Sequence, residues 1–387
     1  MTAVREFLER FHDQDLEKLR PERAVQQSFI FPSSAPVSGL QEEQSGLVGR
    51  MARLYEKQGQ RPRIATVDQA ATILESHQAA AYCPYEEGQG YQPRVAVWAE
   101  ADLVLADEFR DGNVPARQEP LAGAKLAFAA LPERVRPRYF RGDWAWHEKE
   151  LLDWLKHPER EAEPGGRIGF AVSAFMREPL GQALRNMAEA AWKTFDQADD
   201  GALRQWAAVD FVPGDQYERQ ESQPRRQVGL RLLKPQGVLF KDGSDRPFHA
   251  VLTHEKTEGG RLLDWHREKA GTVEPTHDEV KNELGGGQVP SPRLGVNSAW
   301  FKISRLTYNI VSAIKGLCLE GPERTARMKR FRLLLIQVAG RMNRNNCVMG
   351  LRVCHHAAAL KRRQKVGRVF ERPTQATSAK ALGRRGG

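Results

Sequence analysis

The feature that most restricts the fold is a series of strand-like runs that alternate with helical runs between residues 63 and 173. Runs rich in β-branched and aromatic residues predict strands at 63–67, 91–100, 103–109, 138–141 and 168–173. Apolar residues at helical spacing predict helices at 121–131 and 146–156, between the last three strands. Strands that are joined by helical crossovers build a mixed sheet, so we predict an α/β fold.

The regions on either side of this core differ in composition. Residues 1–20 have an amphipathic helical pattern, residues 21–45 are rich in Pro, Ser and Gln and are interpreted as a linker, and a short helix follows at 47–57. Short strands at 207–212, 227–233, 237–240 and 249–252, between Pro, Gly and Asp turns, predict a β-rich insertion after residue 205. Helical patterns return at 263–284 and 297–318. The predicted parts are a helical N-terminal segment with linker (1–60), the first part of the core (61–205), a β-rich insertion (206–256), the remaining core helices (257–320) and a basic, helical C-terminal tail (321–387).

The positive charge of the chain is concentrated in that tail. The net charge is +10, yet residues 321–387 hold 17 Lys and Arg against two acids, while residues 1–320 hold 42 basic and 47 acidic residues. Arg330 and Arg332 lie in one of the densest basic runs. A basic tail on a mildly acidic body favours a polyanion such as a nucleic acid backbone as partner, and a solvated terminus is the alternative.

Several classes of protein find no support in the sequence. The four cysteines are scattered without a CxxC pair, so neither a disulfide framework nor a zinc site is predicted. No stretch approaches the ~20 apolar residues of a membrane span, and the charged N-terminus lacks the apolar centre of a signal peptide. We expect a cytoplasmic, nucleoid-associated protein without a membrane partner.

Three positions carry acidic groups where chemistry could occur. Asp143 follows a predicted strand, and Asp68 lies in the tract Thr66–Thr72 at the end of another. Catalytic groups gather at such strand ends, although Asp is also a common helix N-cap there. Glu274 precedes Pro275 at a predicted helix start, and Lys281 lies two turns later on the same face. Ordinary surface pairing would explain that spacing equally well.

Taken together, these segments resemble the DDE group 1 transposases of bacterial insertion sequences, of the thirteen-eighty insertion-sequence family. The resemblance runs from about Phe7 to Asn345. It is carried by FLERFHD near the start, EFRDGNVP at 108–115, RGD at 141–143, GTVE at 271–274 followed by KNEL at 281–284, and NSAW at 297–300. A nuclease with the same core but unrelated to transposition would not explain the last three segments.

The resemblance implies a ribonuclease H-like catalytic core, interrupted by a β-rich insertion before its last acidic helix. It also implies three carboxylates that hold two Mg²⁺ or Mn²⁺ ions, which clamp the attacking and leaving oxygens at phosphorus. Asp143 then matches the second acid and Glu274 the third, with Lys281, and less cleanly Arg267 and Lys269, against DNA. The implied partners are the transposon's terminal inverted repeats and target DNA, bound by a homodimer.

Two departures from the family pattern matter. Relatives read Asp-x-Asp-small-Thr in the first tract, and Ala70 stands where the catalytic Asp of that tract is expected. Asp68 is a weak substitute, because alternate strand residues lie ~6.6 Å apart. Relatives also carry further chain before FLERFHD, so we expect a truncated N-terminus, and Trp144 replaces a small residue. We therefore predict a transposase with impaired cleavage, and the alternative is a non-catalytic, DNA-binding derivative that is domesticated or inhibitory.

Overall fold

The structure is a computed structural model in which the chain forms two compact units, residues 1–310 and residues 311–387. The residues that it describes are 2–22, 28–60, 62–84, 88–157, 166–197, 201–211, 226–234, 247–337, 340–345, 348–353 and 357–370.

Nine of the described strands form one mixed sheet in the first unit. They are β1 (Ala65–Ala71), β4 (Arg94–Trp98), β5 (Leu103–Glu108), β6 (Arg138–Gly142), β7 (Ile168–Ser173), β8 (Lys193–Gln197), β9 (Leu203–Val209), β10 (Arg226–Leu233) and β11 (Phe248–Thr253). Their order across the sheet is β5-β4-β1-β6-β7-β11-β10-β9-β8, and β2 (Leu74–Glu75) pairs with β3 (Gly90–Tyr91) apart from it. Strands β1, β6 and β7 are parallel and their other neighbours are antiparallel. The α/β prediction is confirmed.

The described helices cover both faces of this sheet. In the first unit they are α1 (Thr2–Glu9), α2 (Gln14–Lys18), α3 (Ala35–Lys57), α4 (Pro120–Ala130), α5 (Lys149–Lys156), α6 (Glu178–Arg185), α7 (Gly259–Arg267) and α8 (Val273–Asp278), and α9 (Leu294–Cys318) continues into the second unit. On one face, Ala70 of β1 and Val95 of β4 pack with Val273 of α8 and Phe301 of α9. On the other face, Phe128 of α4 packs beside Phe140 of β6.

The linker prediction for residues 21–45 is wrong from Ala35 onward, where α3 begins. Ser34 caps this helix by accepting a hydrogen bond from the Val37 amide, and Pro36 fits the first helical turn. Val37 and Gln44 are buried on the inner side of the helix, so its polar residues describe a solvated face and not a loop.

The strands of the predicted β-rich insertion continue the core sheet. Strand β11 pairs with β7 at Val251–Thr253, and β10 and β9 follow outward, so the inserted interval extends the sheet across its edge. The predicted strand at 237–240 lies outside the described residues. Burial of Leu262 and Leu263 of α7 against Val228 and Val251 joins the insertion to the segment that leads to Glu274.

The second unit is not the purely helical tail that was predicted. After α10 (Met328–Phe331) and a π-helical turn at Arg332–Ile336, β12 (Gly340–Asn345) and β13 (Val348–Val353) form an antiparallel hairpin, and α11 (Ala357–Phe370) follows. Among the described residues, no helix is long and apolar enough to cross a membrane.

The close approach of α7 to β9 gives a stability prediction. A Cβ added at Gly259 would lie 2.2 Å from Cε3 of Trp206, whereas one added at Gly39 in α3 would meet nothing within 4 Å. We expect Gly259→Ala to lower the free energy of unfolding by ~1–3 kcal/mol through overpacking. Gly39→Ala is expected to raise it by ~0.5–1 kcal/mol, because alanine favours a helix. Urea unfolding of both variants measures the two free energies. A free energy of unfolding that is unchanged in Gly259→Ala would contradict this packing.

Candidate active site

Adjacent parallel strands bring the first two candidate positions together. Strands β1 and β6 pair in parallel with Asp68 opposite Arg141. The paired register ends there: Ala70 lies two residues further along β1, and Asp143 directly follows β6. Neighbouring strands are ~4.8 Å apart, and residues two apart point to the same face. Ala70 and Asp143 therefore both lie at the carboxyl edge of the parallel strands, Ala70 within β1 and Asp143 one residue beyond β6.

Asp68 is engaged in a buried ion pair. Its carboxylate oxygens accept hydrogen bonds from Nε and Nη2 of Arg141 at 2.7 and 2.8 Å, and the side chains are 0% and 2% exposed. Thr272 also donates its hydroxyl to Asp68. Arg141 further donates to the Trp265 carbonyl and pairs with Glu268. This network joins β1 and β6 to the segment before Glu274, and sequence reasoning missed the part that Arg141 plays.

Asp143 caps the short helical turn Trp144–Trp146. Its Oδ1 accepts a hydrogen bond from the Ala145 amide at 2.9 Å, as the N-cap alternative anticipated. The ammonium of Lys269 lies 3.8 Å from Oδ2 of the same carboxyl. Burial raises the pKa of Asp143, and the nearby Lys269 charge offsets part of that shift. A cation thus already sits beside this carboxylate.

Glu274 lies in the first turn of α8, and its side chain is exposed. The helix changes to a π-helical turn at Glu279–Glu283, a local widening that is frequent at functional sites. Lys281 lies in this turn and donates to the backbone carbonyl of Ile73, just beyond β1, at 2.8 Å. The helix start, the π turn and the end of β1 therefore meet in one region.

A cleft of about 550 Å³ opens on this region of the first unit. Glu274, Lys269 and Arg267 line it on one side, and Trp144 and Phe175 line it as well. The Arg267 guanidinium lies 3.6 Å from Asp196 and 3.4 Å from Asp264, so its charge is partly neutralised. The structure thus brings Glu274, Lys269 and Arg267 into one cleft, beside the residue that follows Asp143.

Two buried histidines near the site escaped sequence reasoning as functional candidates. His266 shares a hydrogen bond through Nε2 with the Gly142 carbonyl at 3.0 Å, and burial lowers its pKa to about 4. Burial likewise lowers the pKa of His277 to about 3, and the charges of Lys269 and Arg305 add to that shift. The one sequence signal is for His277, which follows Glu274 by three residues and therefore shares its helix face; His266 has no such signal. Both rings are neutral at physiological pH, so they position the site without adding charge.

The described residues do not fit a two-metal site. No group of three or more His, Cys, Asp or Glu side chains among them could hold a metal ion. Ala70 offers no oxygen ligand, Asp68 is bound to Arg141, and Lys269 lies beside Asp143. Hard divalent cations bind oxygen ligands at ~2.1 Å for Mg²⁺ and repel an adjacent ammonium, so this donor set is incomplete.

The remaining candidate residues lie in the second unit. Arg330 is exposed in α10, and Arg332 is exposed at the start of the π-helical turn that follows. The short helix also contains Lys329, while Met328 and Phe331 are its buried residues. The apolar side chains therefore hold the segment in place and leave a basic surface.

Fold and site together define a protein whose polar groups gather at the carboxyl edge of parallel strands in a mixed α/β sheet. The chain matches the family described as transposase DDE domain group 1 over residues 16–372, so it belongs to that transposase family. No curated protein matches the chain. Among solved structures, it is similar to a piggyBac transposase in a synaptic complex with hairpin DNA, with 10% identity and a TM-score of 0.35. The match covers 81% of this chain and 59% of that one, so the chain spans less than two thirds of that transposase.

The ion pair between Asp68 and Arg141 should be a main source of stability at the site. Arg141→Met would leave a buried, unpaired carboxylate, and we expect a loss of ~3–5 kcal/mol in the free energy of unfolding. Glu268 also pairs with Arg141, but the Glu268 side chain is 67% exposed. Glu268→Gln should therefore lower the free energy of unfolding by less than ~1 kcal/mol. Chemical denaturation compares the two variants, and equal losses would contradict the assignment.

Proposed function

We propose that this chain acts as a DNA transposase of the DDE class with a ribonuclease H-like core, and that Ala70 impairs its cleavage chemistry. The proposal rests on one observation: Asp68 pairs with Arg141 on neighbouring parallel strands, Ala70 follows Asp68 by two residues, and Asp143 follows Arg141 by two residues. Family membership over residues 16–372 supports the reaction class, which is DNA strand cleavage at transposon ends and strand transfer. The two-metal expectation of the family then requires a carboxylate where this chain has a methyl group.

Asp68 is a poor replacement for that carboxylate. Its oxygens are bound by Arg141 and Thr272, and the Arg141 guanidinium neutralises its charge. Ligation of a metal would have to break a buried ion pair, whose loss costs ~3–5 kcal/mol. We therefore assign Asp68 to the support of the site, and Asp143 and Glu274 to its ligands. Two Mg²⁺ or Mn²⁺ ions are proposed to bind only when a third carboxylate is present.

The proposed partner is DNA, both the terminal inverted repeats and the target, bound by a homodimer. Lys269 and Arg267 line the cleft beside Glu274, where a phosphate backbone would pass. Lys281 is held by the Ile73 carbonyl and keeps hydrogens for a further acceptor. Arg330 and Arg332 add exposed charge in the second unit. Cations distributed in this way bind phosphates without reading the base sequence.

A second candidate function is a non-catalytic, DNA-binding derivative of a transposase. The contact between Lys269 and Asp143 favours it, because an ammonium at 3.8 Å occupies the neighbourhood that a metal ion would need. Such a protein would hold DNA ends without cutting them and compete with an active relative. Restoring the missing carboxylate separates the two candidates.

Restoration of the carboxylate should restore cleavage. We expect the chain as given to leave DNA bearing its own terminal inverted repeats uncut with Mg²⁺ or Mn²⁺, and Ala70→Asp to cut it. The double variant Ala70→Asp with Glu274→Gln should lose cutting again. Strand cleavage on labelled DNA is the measurement. Cutting by the unchanged chain would refute the impairment, and binding without cutting in every form would favour the non-catalytic derivative.

The same variant gives a prediction that does not depend on activity. Ala70 is 7% exposed within an apolar cluster, so an unpaired Asp there should lower the melting temperature. Binding of Mg²⁺ or Mn²⁺ to the folded protein only should recover that loss in Ala70→Asp and leave the unchanged chain unaffected. Thermal melts with and without each ion test this. An equal metal response of the two proteins would place the ions elsewhere.

The basic surface of the second unit should contribute to affinity for DNA of any sequence. We expect Arg330→Gln with Arg332→Gln to weaken binding uniformly and to reduce the salt slope of the binding constant by ~1 per lost phosphate contact. Arg50→Gln in α3 is the control, since Arg50 is also exposed but pairs with Glu43. Fluorescence anisotropy at several salt concentrations provides both values. If the double variant has the same salt slope as the control, this surface does not contribute to DNA binding.

A further inference from the structure

Two aromatic side chains at the mouth of the cleft are unusually exposed. Trp144 is 49% exposed and Phe175 is 40% exposed, although large aromatic side chains are mostly buried in folded proteins. Their ring centroids are 5.5 Å apart with the planes tilted by 41°, so the two rings form one continuous apolar surface. We call Trp144 and Phe175 the aromatic platform. Nothing in the proposed phosphate chemistry requires such a surface.

The platform is held in place by the same elements that form the site. Trp144 begins the helical turn that Asp143 caps, and the next ring, Trp146, is buried and donates to Gln69 on β1 at 2.6 Å. The Phe175 amide donates to Nδ1 of His147 at 2.8 Å, which ties the loop after β7 to the end of that turn. A rigid aromatic surface loses little conformational entropy when a ligand covers it.

Two basic groups lie near the platform and suit an anionic ligand. The guanidinium carbon of the exposed Arg177 lies 5.6 Å from the Phe175 ring centroid. Lys269 lines the same cleft as both rings and lies beside Asp143, the residue before Trp144. Aromatic faces between cations are the arrangement that binds single-stranded nucleic acid, where bases stack on rings and cations contact phosphates.

We propose that the aromatic platform stacks an unpaired DNA base next to the candidate active site. This inference rests on the proposed function, in which DNA is the partner. A base inside a duplex has both faces covered by its neighbours, so only a nucleotide that is unpaired or rotated out of the helix can stack on Trp144. Lys269 and Arg177 then contact the flanking phosphates. The platform thereby selects an opened DNA end and fixes the strand beside Asp143 and Glu274.

The test separates stacking from charge by changing only the base. A duplex is prepared with a short single-stranded 3′ extension of thymidines, and a second duplex carries the same extension with abasic nucleotides. Both extensions have equal phosphate charge, and only the first can stack. We expect the unchanged protein to bind the thymidine extension about tenfold more tightly in fluorescence anisotropy, within the range for one or two stacked bases.

Variants then assign this preference to the platform. Trp144→Ala should abolish it and leave binding of the abasic extension unchanged, whereas Trp144→Phe should retain part of it. Phe7→Ala is the matched control, because Phe7 in α1 is 46% exposed and its ring centroid lies 5.5 Å from that of Phe11, in the turn after α1. The control should keep the full preference. Thermal melts verify that each variant is folded. If Trp144→Ala does not fold, Phe175→Leu provides a second variant of the platform.

The outcomes are distinguishable. Equal binding of both extensions by the unchanged protein, or a full preference in Trp144→Ala, overturns the stacking proposal and leaves the proposed function standing. Failure of the unchanged protein to bind either DNA contradicts DNA binding itself, and the platform with it. A change of oligomeric state in Trp144→Ala, without an effect on the preference, would show that the rings cover a second copy of the chain and also overturns the proposal.

Discussion

The buried ion pair between Asp68 and Arg141 is the interaction on which the site depends. It joins neighbouring strands β1 and β6 by two hydrogen bonds, and Arg141 also holds the Trp265 carbonyl beyond the sheet. Burial of two charges is costly unless both are fully paired, so the pair admits little displacement of either strand. The ion pair lies at the last paired position of β1 and β6, two residues before Ala70 and two residues before Asp143.

This ion pair also explains why the two aspartates of similar sequence context differ. Asp68 and Asp143 both lie at strand ends in the sequence, yet Asp68 is neutralised by a guanidinium, whereas Asp143 is a cap with an ammonium at 3.8 Å. The first can leave its partner only by breaking the core. The second has a side chain that is 37% exposed, compared with 0% for Asp68. Location near a strand end is therefore insufficient to identify a metal ligand.

The site combines features that point to DNA with a donor set that lacks one carboxylate. Cations, exposed aromatic rings and Glu274 line one cleft, and each suits a nucleic acid strand with reacting phosphates. The carboxylate that the proposal requires is absent at one position only, Ala70, which packs in an apolar cluster with Val273 and Val280. Under the proposed function, a single methyl-to-carboxylate change at position 70 would separate DNA binding from cleavage.

The sequence by itself determined the α/β class and the family, because periodicity and ordered motifs are local properties. It also placed Asp143 and Glu274 at element ends, with Lys281 two helical turns after Glu274. Only the tertiary structure decided that Arg141 neutralises Asp68, that Lys269 lies beside Asp143, and that Trp144 and Phe175 meet. These partners are separated by between about thirty and more than a hundred residues of chain. Such pairs depend on the strand register and on the crossovers, which no local pattern encodes.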